Sequence, residues 1–258
     1  MKISFIGAGR VAHHLAIALN HHHEIVQIYS RTLHKSAQLA QKVDAEAIEN
    51  IDELDSNIDL LILAVSDQSI PKIIEQIHEQ LSNVLVVHTS GSTSINSISQ
   101  YHVNAGVFYP LQTFSLEREI DWKNTPIFIE ALHQADQKIL DQLANSLSNI
   151  VYQYNSKQRL TLHLAAVFAC NFSNYCYDMA KQIVDDENVD FGLLYPLILE
   201  TANKATQHDP KSVQTGPAMR GDQNILNMHQ TMLNDEHKTN FKEVYRLLSQ
   251  QILERHHK

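Results

Sequence analysis

The sequence predicts an α/β chain in two parts: a doubly wound, mostly parallel sheet over residues 1–154, then an all-helical C-terminal domain over residues 155–258. Three observations carry this. Short β-branched runs alternate with amphipathic stretches in the first half. The alternation stops near Ser156, beyond which only helical periodicity remains. Glycine and proline number only 7 and 6 in 258 residues, which disfavours turn-dense all-β designs.

In chain order, the strand candidates are Ile3–Ile6, Ile25–Tyr29, Leu60–Val65, Val84–His88, Val103–Phe108, Ile127–Glu130 and Val151–Tyr154. Helical spacing falls between them at Val11–Leu19, Leu33–Lys42, Ile70–Leu81 and His133–Leu147. Such a βαβ series folds with helices on both sheet faces, because each right-handed crossover returns the chain to the same sheet. In the second half, Arg159–Val184, Phe191–Thr206 and Lys238–Glu254 have helical periodicity. Pro196 implies a kink or a helix start. Gln207–Asp222 reads as irregular.

Composition narrows the partners. With 20 basic and 29 acidic residues the net charge is −9. No run of Lys or Arg exceeds two, so neither nucleic acid nor an anionic membrane is expected as partner. A small-molecule substrate is. The run Ile3–Ile6 is too short for a signal peptide, and Leu60–Val65 is far below the roughly 18 apolar residues of a spanning helix. Cys170 and Cys176 lie about 240° apart around a helix and cannot bridge. Reduced thiols and a cytoplasmic location are the expectation.

Gly7-Ala8-Gly9-Arg10-Val11-Ala12 follows the first strand directly and opens the first helix. This is the setting of a Rossmann-type dinucleotide loop. Gly7 permits the tight turn, Gly9 lets backbone approach a pyrophosphate, and Ala12 lets the helix lie close to the sheet. At the end of the second strand, where an NAD enzyme offers a carboxylate to the ribose, the chain reads Ser30-Arg31-Thr32. A guanidinium there pairs with a ribose 2′-phosphate, so NADP is favoured over NAD. Ala64, Val65 and Ser66 end a further strand and are expected beside the cofactor, with Asp67 or Ser66 as helix N-cap.

Candidates for chemistry cluster on the same sheet edge. His88-Thr89-Ser90-Gly91-Ser92 and Phe108-Tyr109-Pro110-Leu111-Gln112 end the next two strands, placing Ser90, Gly91, Tyr109 and Gln112 near the substrate. On the helix from Thr161 onward, about 100° per residue brings Asn174 to within about 20° of His163, with Asn171 about 80° away. His163 is then a proton donor, and Asn171 and Asn174 orient the substrate. In a turn-rich segment, Arg220 is a candidate to clamp an anionic substrate group, and Asp222 to orient the substrate or to cap the following helix.

The strings GAGRVA, SRT, HTSGS, FYPLQTF, HLAAVFACNFSN and TGPAMRGD, in this order, resemble a family of bacterial Rossmann-like proteins whose helical C-terminal half is a domain of unknown function. That family looks like a distant relative of pyrroline-carboxylate reductase, the deazaflavin-dependent NADP oxidoreductases and the phosphogluconate dehydrogenase superfamily. The resemblance implies an NADP-type cofactor, and a helical half that forms a homodimer and closes over the site. The hydroxyacid dehydrogenase relatives use a Lys and an Asn one helical turn apart. Here the corresponding helix offers His163 and Asn171, with Lys157 as a weak substitute for the Lys.

Other patterns are set aside. Tyr177 and Lys181 have a YxxxK spacing in the wrong context. Asp186–Gly192 imitates the start of a calcium loop, but Leu197 stands where the loop needs a terminal Glu. His21, His22 and His23 read as polar turn residues, and no metal ligand set is expected. The reading is an oxidoreductase passing hydride between NADP and a small carbonyl or imine compound. Its alternative is a non-catalytic NADP-binding sensor or partner-binding protein, whose crevice would be filled by side chains. A deazaflavin as hydride partner is a third.

Overall fold

The computed structural model describes residues 1–234 and 239–257. Its strands are β1 (Lys2–Ile6), β2 (Glu24–Tyr29), β3 (Glu46–Ile48), β4 (Leu60–Leu63), β5 (Leu85–His88), β6 (Ala105–Pro110), β7 (Ile127–Ala131) and β8 (Val151–Gln153). They form one sheet in the order β3-β2-β1-β4-β5-β6-β7-β8, parallel except where β7 runs against β6. The order reverses beside β1, because the chain builds outward through β2 and β3 and then returns to place β4 on β1's other side.

The strands are apolar throughout because each feeds two cores. Leu60 and Ile62 pack with helices α1 (Arg10–Asn20), α2 (Leu33–Val43) and α5 (Gln134–Leu147) on one face. Leu61 and Leu63 pack with α3 (Ile70–Ile77) and α4 (Asn96–Ser99) on the other. All four leucine and isoleucine side chains of β4 are fully buried, a gross gain of about 1.5–3 kcal/mol each. Strand β3 was not foreseen. Three residues are too few to show periodicity, and pairing with β2 plus a 2.7 Å bond from the Gln27 amide to Glu46 supplies the order.

The chain divides into two compact units, Met1–Asn171 and Phe172 onward. The sequence reading placed its boundary after residue 154, where the last strand ends. Helix α6 (Ser156–Ala166) belongs with the sheet because its Arg159 is 1% exposed and ion-paired to Glu130 of β7. A capping box fixes its start: Asn155 accepts from the Gln158 N–H at 2.9 Å, and the Gln158 side chain accepts from the Asn155 N–H at 3.0 Å.

The helix predicted over Arg159–Val184 is interrupted. Between α6 and α7 (Ser173–Asp185) the backbone takes π-helical turns over Val167–Phe172. A π turn holds an extra residue, so positions beyond it are rotated by about 100° from a regular helix. A uniform 100° per residue therefore does not describe this segment.

In the second unit, α8 (Tyr195–Gln207) carries Pro196 in its first turn, so that proline starts a helix. The stretch read as irregular contains α9 (Pro217–Arg220), and α10 (Gln223–Met232) follows it. Both pack on α11 (Thr239–His257), whose predicted first residue, Lys238, lies outside the described residues. His257 bonds the Met219 carbonyl at 2.7 Å and His229 bonds the Tyr245 hydroxyl at 2.9 Å. Among the described residues no helix is long and apolar enough to cross a membrane.

Candidate active site

The turn after β1 is built for close approach. Gly7 has φ +115°, and a Cβ there would collide with the Ala64 carbonyl at the end of β4. Glycine is thus required where β1 meets β4, the point of strand-order reversal at which doubly wound sheets bind ligands. A Cβ on Gly9 would meet nothing within 4 Å, so this residue faces open space. No side chain caps the first turn of α1 and no acidic residue lies in it. Its free N–H groups and the helix dipole suit a pyrophosphate.

A cavity of about 980 Å³ runs along this carboxyl edge. Gly7, Ala8, Gly9, Arg10 and Val11 line it, as do Ser30 and Arg31, Ala64, Val65 and Ser66, and then Ser90, Gly91, Tyr109, Gln112 and His163. Ala12 is fully buried behind the loop, in keeping with a packing role. Thr32 does not line the cavity; its N–H bonds the Ser30 hydroxyl at 3.3 Å. Lys35, in the first turn of α2, and Lys72 add positive charge to the same wall. These residues fit a dinucleotide with an additional phosphate.

At the other end, the Tyr109 hydroxyl lies 3.2 Å from His163 Nδ1. Their contact runs beside Gly91, where a Cβ would stand 2.5 Å from Nδ1 and 2.8 Å from the phenolic oxygen. Burial pushes the Tyr109 phenol above its ordinary pKa; Arg159 opposes the rise and Asp67 adds to it. The Ser90 hydroxyl is engaged within its own loop, accepting from the N–H groups of Ser92 at 3.1 Å and Thr93 at 2.9 Å. The Ser90 N–H donates to His88 Nδ1 at 3.2 Å. Burial, reinforced by Arg159, drives the His88 imidazole down to about 3, so the ring is neutral.

The expected N-cap role of Asp67 or Ser66 does not hold. Neither side chain caps the turn; Asp67 instead accepts from the Ser92 hydroxyl, and Ser66 pairs with Ser69 at 2.8 Å. Arg159 holds the loop from behind through Glu130, the Thr93 carbonyl and the Ser156 hydroxyl. Ser156 in turn donates to Glu130 at 2.8 Å and accepts from the Ile95 N–H at 3.0 Å.

Asn171 is exposed in the π-helical segment and does not line the cavity. Asn174, Arg220 and Asp222 belong to the second unit. There Asn174 is exposed, and Asp222 caps α10 by accepting from the Ile225 N–H at 3.3 Å. Lys181 is paired with Asp185 rather than with Tyr177. Asp190 closes its own turn on the Gly192 N–H at 2.8 Å. A second depression, of about 560 Å³, is lined by His13, His14, His21 and His22. Among the described residues no three His, Cys, Asp or Glu side chains are placed to hold a metal ion.

Sequence reasoning missed Lys35, Lys72, the Tyr109–His163 contact and the Arg159–Glu130 pair. A signal existed for some. Lys35 stands four residues after Arg31, in the first turn of the following helix, and Glu130 is a charge in an otherwise apolar strand. The contact between Tyr109 and His163 spans 54 positions and has no local signature.

Glycine loop, reversal point, cationic wall and open cavity together define a dinucleotide-binding protein of Rossmann type. Residues 2–91 match the family described as NADP oxidoreductase, coenzyme F420-dependent, and residues 125–252 match a domain of unknown function, DUF2520. The crystal structure of the putative NADP oxidoreductase BF3122 from Bacteroides fragilis is 42% identical over 98% of both chains, with a TM-score of 0.92. The chain belongs to this family of NADP oxidoreductases carrying a DUF2520 domain. An imine reductase from Streptomyces aurantiacus shares the fold at 11% identity, with a TM-score of 0.71 over 98% of this chain and 96% of its own. Pyrroline carboxylate reductase from Plasmodium falciparum, solved with NADP bound, shares it at 15% identity, with a TM-score of 0.58 over 98% of each. No curated protein matches the chain in sequence.

Proposed function

We propose that the protein is an NADP-dependent reductase of a small carbonyl or imine compound. The observation that carries this is the single cavity that joins the Gly7–Gly9 loop and Arg31 at one end to Tyr109 and His163 at the other. Arg31 and Lys35 select the 2′-phosphate, and the first turn of α1 holds the pyrophosphate. Bound NADPH would supply hydride to the electrophilic carbon. His163 is the site's proton source, and Gln112 faces the substrate. The fold shared with an imine reductase and a pyrroline carboxylate reductase supports the reaction class.

An open cavity of this size speaks against a sensor whose crevice is filled by side chains. The second unit is proposed to form a homodimer, because Leu193, Leu197, Leu199 and Met232 are each 62–71% exposed. Cytoplasmic residence fits reduced Cys170 and Cys176.

Calorimetry should give tighter binding of NADPH than of NADH, and a panel of small ketones, keto acids and cyclic imines should show NADPH oxidation with at least one. Uptake of neither nucleotide would overturn the reading. Turnover only with a reduced deazaflavin added would move the hydride partner.

A further inference from the structure

Beyond the reductase reading, on which this inference rests, the cavity distinguishes between two side chains that both carry a transferable proton. We propose that Tyr109 is the catalytic acid that hands its proton to the substrate, and that His163 acts through it as the group that replaces that proton from solvent.

Geometry orders the pair. Tyr109 is 9% exposed and sits on β6 within the sheet, whereas His163 is half-buried on α6. The phenol is the inner end and the imidazole the outer end of a 3.2 Å contact. With Nδ1 donating to the phenolic oxygen, the phenol's own hydrogen is left free for an acceptor in the cavity. Gly91 keeps this arrangement open, because a side chain there would enter between the two groups. The nearby competitors are engaged: Asp67 by Ser92, and the Ser90 hydroxyl within its loop. Burial also keeps the phenol protonated at neutral pH, as a donor must be.

The step balances as follows. As the substrate carbon gains hydride from the nicotinamide of NADPH, the Tyr109 O–H bond breaks and its proton forms the new O–H or N–H bond of the product. The phenolate takes the Nδ1 proton of His163 as Nε2 takes one from a hydronium ion or buffer acid in solvent; the ring then loses the Nε2 proton to solvent and regains one at Nδ1. The product has gained one hydride and one proton, and the protein is unchanged.

The test needs no substrate. Exchange of the Tyr109 hydroxyl proton with water is measured by NMR on the full-length protein with labelled tyrosine, the signal being assigned by its loss in Tyr109→Phe. Exchange should slow at least about tenfold in His163→Gln, which keeps a polar partner but cannot relay a proton. Gly91→Ala, which retains both groups, should slow it as well and stands in if the first variant does not fold. Equal rates in wild type and variants, or exchange too fast to observe in all of them, overturns the proposal.

A second arm reads turnover. Tyr109→Phe should lose about 10²–10⁴-fold in rate. His163→Gln should lose less and recover with added imidazole, which cannot rescue Tyr109→Phe. Near-normal turnover in Tyr109→Phe, or an unrescued loss in His163→Gln as large as that of the phenylalanine variant, sinks the proposal while leaving the reductase reading intact. Failure of NADPH to bind the wild type sinks the reductase reading and with it the catalytic role of Tyr109, whereas the relay between His163 and Tyr109 is still read by hydroxyl exchange, which needs no nucleotide.

Discussion

Arg31 and His88 show how one side chain acts at two distances from water. Arg31 is exposed, so in the proposed binding of NADP its contribution rests on bidentate geometry toward the 2′-phosphate rather than on net charge. Replacing it by Ala should weaken NADPH binding by about 10–100-fold, the equivalent of about 1.5–3 kcal/mol, and leave NADH nearly unchanged. Calorimetry with both nucleotides checks this. His88 is buried and neutral down to a pH of about 3, while an unfolded histidine takes a proton below about 6.5. The unfolded state therefore binds more protons as pH falls, and stability is lost on acidification from about 6.5 toward 3. Urea unfolding from pH 7 to 4 should show a slope about 1.4 kcal/mol per pH unit shallower in His88→Gln.

The elements that position the site are those whose ends are fixed by something outside their own pattern. Strands β1 and β4 meet through a glycine whose positive φ no other residue adopts cheaply. Helix α6 is docked by Arg159, which ties Glu130 of β7 to the carbonyl of Thr93 in the loop that carries Gly91. Arg159→Met leaves a mostly buried carboxylate unpaired. Denaturant unfolding should show a loss of about 3–5 kcal/mol, partly restored by adding Glu130→Gln. The π-helical turns over Val167–Phe172 interrupt the regular helix that the sequence spacing predicts over Arg159–Val184. Single-turn π segments recur at functional sites, but here the sequence gives no sign of one.

On the scale of the whole molecule, the two units have different surfaces. The sheet unit buries its strands on both faces. The second unit has few buried side chains, among them Met179, Ala218, Leu226 and Leu233, and leaves large apolar ones in water. A second copy is the occupant expected there, with light scattering giving twice the chain mass of 29.4 kDa. Leu197→Glu should shift the protein to the monomer mass without unfolding it, because that side chain is 62% exposed within its own chain.

The sequence by itself determined the parallel sheet, the glycine loop, the missing carboxylate after the second strand and the helical second half. These are written in neighbouring residues, as period, φ tolerance and charge at a fixed offset. Only the tertiary structure decided that Tyr109 meets His163, that Gly91 exists to let them meet, that Asp67 is held by Ser92 and that Arg159 fastens α6 to the sheet. Each of those joins residues between 18 and 72 positions apart. Their partners are chosen by packing around a common core, and no local pattern records which distant side chain will arrive.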